Sequence, residues 1–264
     1  MEILKKVEEF EKYLRTRTNL SESSIYTYVS GLRQFLEKYE PTIENMNAQI
    51  RRWPLAYFIF KKFLEFEGKD TKDLIKVKTE RKREGVYLPK EKLLEIVNSI
   101  RHKRFEIVAL IQFISGARAR EVLSISKDDL DTDGAFFRIR IKTKGGKYKN
   151  IFITKEFEEK IVGFIVASPY KYPFLESDEL TLRNLRNAYS LYVYYLKEAA
   201  KALGYEKFST HDFRRNFIER FYKKTKDIIL TKEAVGHEKL DTTFKYINKK
   251  EKEEKIKEIV GEGV

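Results

Sequence analysis

"THDFRRNF", residues 210–217, sets His211 three positions before Arg214 and places Arg215 directly behind it. Side chains three positions apart on a helix reach the same side, so His211 and Arg214 are predicted to point together. The pair offers only one metal ligand, and no carboxylate–histidine cluster completes a metal site. Phosphate oxygens accept hydrogen bonds from both side chains, and the planar guanidinium fork matches two of them. The stretch therefore favours an anion site over a metal site.

The composition favours a polyanionic partner. Lys and Arg number 54 against 41 Asp and Glu, which gives a net charge of +13 over 264 residues. Clustered cations displace counterions from a phosphate backbone, and a merely soluble basic surface is the alternative. No stretch reaches the roughly 18 apolar residues of a membrane-spanning helix. The absence of Cys excludes disulfides, thiolate zinc sites and Cys nucleophiles.

The N-terminus and the residue usage suggest a location and a source. "MEILKKVEEFEKYL" has no apolar signal core, so a cytoplasmic location without membrane attachment is expected. Abundant Lys and Glu with no Cys and two Met is typical of proteins from heat-adapted organisms. At roughly 100–200 residues per domain, the length predicts two domains.

Residues 1–75 are predicted to form a helical N-terminal domain. Apolar residues recur at helical spacing in two stretches, Ser21 or Ser23 can cap the second stretch, and Pro41 ends it. "WPLAYFIFKKFLEFEG" is a third apolar helix closing at Gly68. The two predicted stripes consist of Leu4, Val7, Phe10 and Leu14, and of Ile25, Tyr28, Val29, Leu32, Phe35 and Leu36.

Residues 76–88 have the composition of a linker, dense in charge and closed by Gly85 and Pro89. Two interpretations stay open, a solvated surface loop and a basic strap against a phosphate backbone. The candidate DNA contacts in this segment are Lys78, Arg81, Lys82 and Arg83.

A second domain, residues 89–264, is predicted to be mainly α with a small β-hairpin. "AFFRIRIKTKGGKYKNIFIT" alternates Phe137, Ile139 and Ile141 with basic residues, turns at glycine, and alternates again at Ile151 and Ile153. Lys144 lies in the turn, where a β-turn can push an ammonium into a substrate groove. Its competitors Lys142, Lys147 and Lys149 are further DNA-binding candidates.

"SGARAREVLSI", residues 115–125, places Arg118 where an apolar helix ends beside small residues. A phosphate can approach closely at such a junction. Glu121 lies three residues on and can fix the guanidinium of Arg118. The alternative is an ordinary surface ion pair.

Four segments together resemble the tyrosine recombinase (phage integrase, Xer-like) family, including its archaeal members. They are "SGARAREVLSISKDDLD", "KTKGGKYK", "THDFRRNF" and "VGHEKLDTTFKYI", in the order of the family's motifs. The resemblance runs from Pro89 to Tyr246, and residues 1–75 resemble the family's helical core-binding (SAM-like) domain more loosely. It implies a two-domain recombinase architecture and site-specific cleavage and rejoining of duplex DNA, for integration and excision or for resolution of chromosome or plasmid dimers.

The resemblance implies a phosphate-binding set and a set that moves protons. Arg118 and Arg214 would hold the non-bridging oxygens of the scissile phosphate, and His237 would hydrogen-bond to it.

In the second set, Tyr246 would attack the phosphorus to form a 3′-phosphotyrosyl link. His211 would assist proton movement at the tyrosine hydroxyl, and Lys144 would protonate the departing 5′ oxygen. No cofactor and no metal are implied, because the ester bond conserves the energy of cleavage.

The resemblance also implies a nucleoid-associated protein that forms a tetramer on DNA. The tail from about residue 248 would dock on a neighbouring protomer, or alternatively pack as a frayed helix on its own domain. The sequence departs from the family pattern at Ser115, Thr210 and Arg215, and Arg215 is left between a DNA contact and a protein contact. Two alternative functions are a type IB topoisomerase-like enzyme and a DNA-binding regulator without catalysis.

Overall fold

The computed structural model describes residues 2–78, 85–134, 136–143 and 146–236. The chain divides into two units, residues 1–83 and 84–264. Each unit has its own cluster of buried apolar side chains. Within the described residues, no helix combines the length and the apolar character needed to cross a membrane.

The N-terminal unit contains α1 (Glu2–Arg17), α2 (Glu22–Leu36), α3 (Ile43–Arg52) and α4 (Ala56–Phe66). The three predicted apolar stretches correspond to α1, α2 and α4. The predicted stripe of α1 is wrong at its first member, because Leu4 is exposed whereas Val7, Phe10 and Leu14 are fully buried. Ser21 is the N-cap of α2 and accepts a hydrogen bond from the backbone amide of Ser24.

Helix α3 was not predicted from the sequence. Its two buried apolar side chains, Met46 and Ile50, lie one turn apart in an otherwise polar segment, so the apolar periodicity is short. Thr42 caps the helix by accepting from the backbone amide of Asn45 at 3.3 Å. A capping residue with one apolar pair was the only local signal.

The described residues of the C-terminal unit are mainly helical with one small sheet, as the sequence predicts. The three strands pair antiparallel in the order β1-β2-β3, and β1 was not predicted because "LDTD" shows no apolar alternation. The elements are α5 (Lys90–Asn98), α6 (Lys103–Ser115), α7 (Ala119–Leu123), a 3-10 turn (Lys127–Asp129), β1 (Leu130–Asp133), β2 (Phe136–Lys142), β3 (Tyr148–Ile153), α8 (Lys155–Ala167), α9 (Leu182–Ala202), α10 (Thr210–Thr225) and α11 (Ile228–Val235).

Helix α6 forms the centre of this unit. It is buried on nearly every side and packs against α5, α7, α8, α9 and α10. It ends at Ser115, and Gly116 follows in the left-handed conformation with φ 61°. Such a φ favours glycine because it has no Cβ. The sharp exit turns the chain into α7 and places Arg118 at the start of that helix.

The register of β2 and β3 decides which hairpin side chains face the core. Ile141 pairs with Lys149, and Ile139 pairs with Ile151. Directly paired residues lie on the same face of an antiparallel sheet. Since Ile139, Ile141 and Ile151 are buried, Lys149 lies on the core-facing side.

Residues 85–88, part of the predicted linker, are hydrogen-bonded to α10. The backbone amides of Val86 and Leu88 donate to Asp212 Oδ1 at 3.2 Å and to Asn216 Oδ1 at 2.8 Å. Asn216 Nδ2 donates back to the Val86 carbonyl at 2.8 Å. Residues 79–84 lie outside the described part of the chain.

Candidate active site

Arg214 is held between the C-terminal ends of two helices. Arg214 belongs to α10, and its side chain is almost completely buried. Nη1 donates to the Gly116 carbonyl at 2.7 Å, and Nη2 donates to the Val235 carbonyl at 2.8 Å. These carbonyls lie where α6 and α11 end, and helix C-termini carry partial negative charge. Two fixed acceptors therefore orient the guanidinium.

Lys149 reaches the same two helix ends from β3. Its Nζ lies 3.3 Å from the Ser115 carbonyl oxygen and 3.5 Å from the Ala234 carbonyl oxygen. Each of these residues directly precedes the one whose carbonyl Arg214 binds. The sequence placed Lys149 among several hairpin lysines as a DNA-binding candidate, and the structure places it beside Arg214. Lys142 and Lys147, its neighbours in that prediction, are exposed.

Arg118 begins α7 and forms a close pair with Glu121. Nη1 of Arg118 donates to Glu121 Oε1 at 2.6 Å, and the Arg118 backbone amide donates to Oε2 at 2.8 Å. Glu121 is buried, whereas a third of the Arg118 side chain is exposed. The pair therefore differs from an ordinary surface ion pair, because the carboxylate fixes both the helix start and the guanidinium.

The two arginines act electrostatically on two further groups. Burial first, and then the Arg214 and Arg118 charges, lower the pKa of Lys149 to about 7, against an opposing effect of Glu121. His211 is exposed at one edge, and partial desolvation first, then the neighbouring guanidinium groups led by Arg215, lower its pKa. Arg118, Arg214, Lys149 and His211 therefore form one electrostatically coupled cluster, in which the two arginines carry the permanent positive charge.

A buried hydrogen-bond network joins the Arg118 turn to the start of α10. Gln112 Nε2 donates to the Ala117 carbonyl at 2.9 Å and to the Thr210 carbonyl at 3.4 Å. Tyr192 Oη donates to Gln112 Oε1 at 2.6 Å, which fixes the orientation of the amide. Neither side chain was predicted from the sequence to belong to the site. The available signal was a single polar residue, Gln112, inside the apolar run of α6.

Arg215 contacts the protein in the described structure. Its Nη1 donates to Asp212 Oδ1 at 2.6 Å, and the Arg215 side chain is about four-fifths buried. Asp212 also caps α10 by accepting from the backbone amide of Ser209 at 2.8 Å. Arg215 therefore helps to hold the N-terminal turn of the helix that carries His211 and Arg214.

The described residues that precede two of the remaining candidates, Lys144 and His237, lie close together. Lys144 follows Thr143, and His237 follows Gly236. A Cβ added to Gly236 would lie 3.4 Å from Thr143 Cγ2 and 3.6 Å from Lys149 Cδ. Lys144, His237, Tyr246, Arg81, Lys82, Arg83 and the tail lie outside the described residues, and Lys78 is exposed in the N-terminal unit.

Three comparisons relate the chain to known proteins. The model of the phage integrase family matches residues 87–253. The tyrosine recombinase XerH of Campylobacter jejuni is 27% identical over 179 residues, which cover 61% of this chain and 49% of that protein. The tyrosine recombinase XerA of Pyrococcus horikoshii is 24% identical over 253 residues, which cover 91% of this chain and 87% of that protein. The chain thus spans about half the length of the XerH relative.

Among solved structures, a lambda integrase tetramer bound to a Holliday junction has a TM-score of 0.64 with this chain at 14% identity. The match covers 93% of this chain and 77% of the integrase chain. At that identity the similarity concerns the fold, and it extends over the helices of both units.

Gly116→Ala should destabilise the C-terminal unit more than Gly204→Ala. Both glycines have positive φ, but a Cβ at Gly116 would lie 2.7 Å from Phe217 Cδ1, whereas nothing lies within 4 Å at Gly204. We expect about 1–2 kcal/mol of left-handed strain at each position and about 1–3 kcal/mol more at Gly116 from overpacking. Urea unfolding of the full chain measures both, and equal losses would mean that Phe217 yields without cost.

Proposed function

The chain belongs to the phage integrase family, and from this premise we propose that it is a site-specific DNA recombinase. It cleaves and rejoins duplex DNA through a 3′-phosphotyrosyl intermediate on Tyr246. One observation carries the proposal: Arg118 and Arg214 interact electrostatically with Lys149 and His211 in one cluster, which reaches the end of α11 directly before the segment that contains His237 and Tyr246.

The cluster suits a phosphodiester in reaction. The transition state gathers negative charge, so fixed cationic donors stabilise it more than they stabilise the bound substrate. Arg118 and Arg214 hold the two non-bridging oxygens, and His237 donates a further hydrogen bond. The contacts of Arg214 with two helix ends and of Arg118 with Glu121 hold both guanidinium groups before DNA arrives.

The reaction exchanges one phosphate ester for another. The Tyr246 oxygen attacks phosphorus while the bond from phosphorus to the 5′ oxygen breaks. His211 accepts the tyrosine proton, and its lowered pKa keeps the ring neutral and able to accept at neutral pH. Lys144 gives a proton to the leaving 5′ oxygen. Rejoining reverses these steps with the 5′ hydroxyl of a partner strand.

Two other functions use the same fold. A type IB topoisomerase-like enzyme would form the same covalent bond but relax DNA without exchanging strands. A DNA-binding regulator would bind duplex DNA and form no covalent adduct. The oriented arginine pair and the full set of candidate groups favour catalysis, and strand exchange is favoured by the named activities of the XerH and XerA relatives. Acting on duplex DNA implies a place with the nucleoid in the cytoplasm.

We further propose that the recombinase assembles as a tetramer on DNA, with the tail of one protomer seated on its neighbour. The acceptor is a cavity of about 270 Å³, lined by apolar rings of α6, α8 and α10. Phe113, Phe157, Phe217 and Phe221 contribute these rings, and Lys90, Arg220 and Lys224 supply cations. Within the described residues, Nη1 of Arg220 is buried without a hydrogen-bond partner.

The tail has the complementary pattern. Ile256, Ile259 and Val260 fall at helical spacing, and Glu253, Glu254 and Glu258 lie among them. An apolar face with carboxylates beside it matches an apolar cavity lined by a guanidinium whose Nη2 is bound to the Phe113 carbonyl and whose Nη1 has a donor to spare. The 28 residues after Gly236 include this segment.

Tyr246→Phe should abolish covalent adducts and leave duplex binding intact, because only the nucleophilic oxygen is removed. Suicide duplexes of randomised sequence trap the adduct, and sequencing of the trapped strands gives the target site. Tyr194→Phe, an exposed tyrosine on α9, is the matched control and should trap as wild type. Adducts that persist in Tyr246→Phe would place the nucleophile on another residue.

Arg118→Ala should slow cleavage by about 10²–10³-fold, since one charge-stabilising donor is lost from the transition state. Arg214→Lys should also slow it, because an ammonium cannot replace a fork that binds two carbonyls. Arg183→Ala removes one exposed charge from α9 and should cleave at the wild-type rate. Single-turnover cleavage of the trapped site measures all three, and a near-normal rate for Arg118→Ala would remove it from the clamp.

Ile259→Asp should reduce tetramers on DNA and leave protomer binding and monomer stability unchanged. Gel-shift analysis separates the assemblies, thermal unfolding reports the monomer, and Lys257→Asp is the matched control on the same segment. A lower melting temperature with normal tetramers would mean that the tail packs on its own protomer.

A further inference from the structure

Two basic side chains contact four backbone carbonyls, two consecutive ones at the end of α6 and two consecutive ones at the end of α11. Arg214 binds those of Gly116 and Val235, and Lys149 approaches those of Ser115 and Ala234. The cations come from different elements, α10 and β3, yet they bridge the same two helix ends. The second bridge has no role in the mechanism described above.

The two bridges differ in strength. The Arg214 contacts are 2.7 and 2.8 Å, which is typical of charge-assisted hydrogen bonds, whereas the Lys149 contacts are 3.3 and 3.5 Å. Burial first, and then the two nearby guanidinium groups, penalise the charged form of this amine. The Lys149 bridge is therefore the weaker of the two.

We propose that Lys149 is a positioning residue: its ammonium draws the ends of α6 and α11 together, beside Arg214, when a phosphate group occupies the site. This inference rests on the proposed function and deepens it by assigning a role in the anion site to a residue other than the turn lysine. Lys149 acts through the helix ends, which precede Arg118 and His237, and not by contact with the reacting atoms.

Burial first, and then the charged groups around Lys149, set its protonation. Arg118 and Glu121 act from α7, Arg214 acts from α10, and α6 and α11 present backbone carbonyls. With a pKa of about 7, Lys149 is largely neutral at pH 8. An anion between the arginines favours the ammonium and raises this pKa. Anion binding is thereby coupled to the uptake of a proton, and affinity should fall as the pH rises above 7.

Lys149 also links pH to the stability of the free protein. The pKa of an unfolded lysine lies near 10.4, well above the folded value of about 7. The unfolded state therefore binds more protons between these values, so this lysine makes the protein more stable as the pH rises above 7. As the pH rises above 7, the ratio of the unfolding constant of the wild type to that of Lys149→Met should fall by up to about tenfold per pH unit.

The test compares wild type, Lys149→Met and Lys149→Arg from pH 6 to 9, with Lys197→Met on the exposed side of α9 as control. Unfolding of the full chain is measured with and without sulfate, a tetrahedral anion that does not titrate in this range. Stabilisation by sulfate should weaken with rising pH in wild type and in Lys197→Met, and stay level in Lys149→Arg. Parallel pH profiles in wild type and both Lys149 variants would overturn the proposal.

Cleavage supplies the second measurement. Lys149→Arg, which keeps its charge, should retain activity to higher pH than wild type, whereas Lys149→Met should be slow throughout. A packing role alone would lower both variants without moving the pH profile, and that result would overturn the inference. A wild type that forms no covalent adduct would end the proposed function, while the sulfate measurement would still decide the role of Lys149.

Discussion

The buried guanidinium of Arg214 is the constraint on which the C-terminal unit depends. An arginine cannot shed its proton, so its burial is costly unless fixed acceptors surround it. The acceptors here are the last carbonyls of α6 and α11, which become available only because both helices stop there. Gly116 and Gly236 stop them in the left-handed conformation with φ 61° and 71°. The two glycines that end these helices are distant in sequence, yet the carbonyls at both helix ends bind the same guanidinium.

The same arrangement leaves the positive charge of the site only partly compensated. Two buried carboxylates act on the cluster, Glu121 on Arg118 and Lys149, and Asp212 on Arg215 and His211, and the carbonyls at the helix ends add backbone dipoles. Burial first, and then the neighbouring guanidinium charges, lower the pKa of Lys149 and of His211, so the cluster carries less charge without an anion than with one. A site of this kind is organised in advance for the charge that develops on a phosphate in reaction.

The sequence predicted what depends on local pattern. Apolar periodicity located α1, α2, α4 and the β2–β3 hairpin, and the spacing of His211 and Arg214 placed both on α10. It could not predict α3, where one apolar pair carries the packing, or Gln112 and Tyr192, whose hydrogen bond joins residues 80 positions apart. The roles given to Lys144, His237 and Tyr246 stay predictions.

The position of Lys149 could be predicted from the sequence only in part. The alternation that marked Ile151 and Ile153 as buried also assigns Lys149 to their face, since all three are two residues apart. The pattern thus contained its inward orientation, although the prediction treated Lys149 only as one of several DNA-binding candidates in the hairpin.

The alternation does not show which part of the protein this inward face packs against. The Thr143 backbone amide and hydroxyl bind the Lys147 carbonyl at 2.7 and 3.1 Å, which closes the turn, and Thr143 lies against Gly236. The hairpin is therefore docked on the end of α11 at both sides of its turn. The docking depends on the packing of Lys149 and Thr143 at the two ends of the turn. Strand register, rather than the turn sequence alone, thus positions the hairpin for the chemistry proposed at this site.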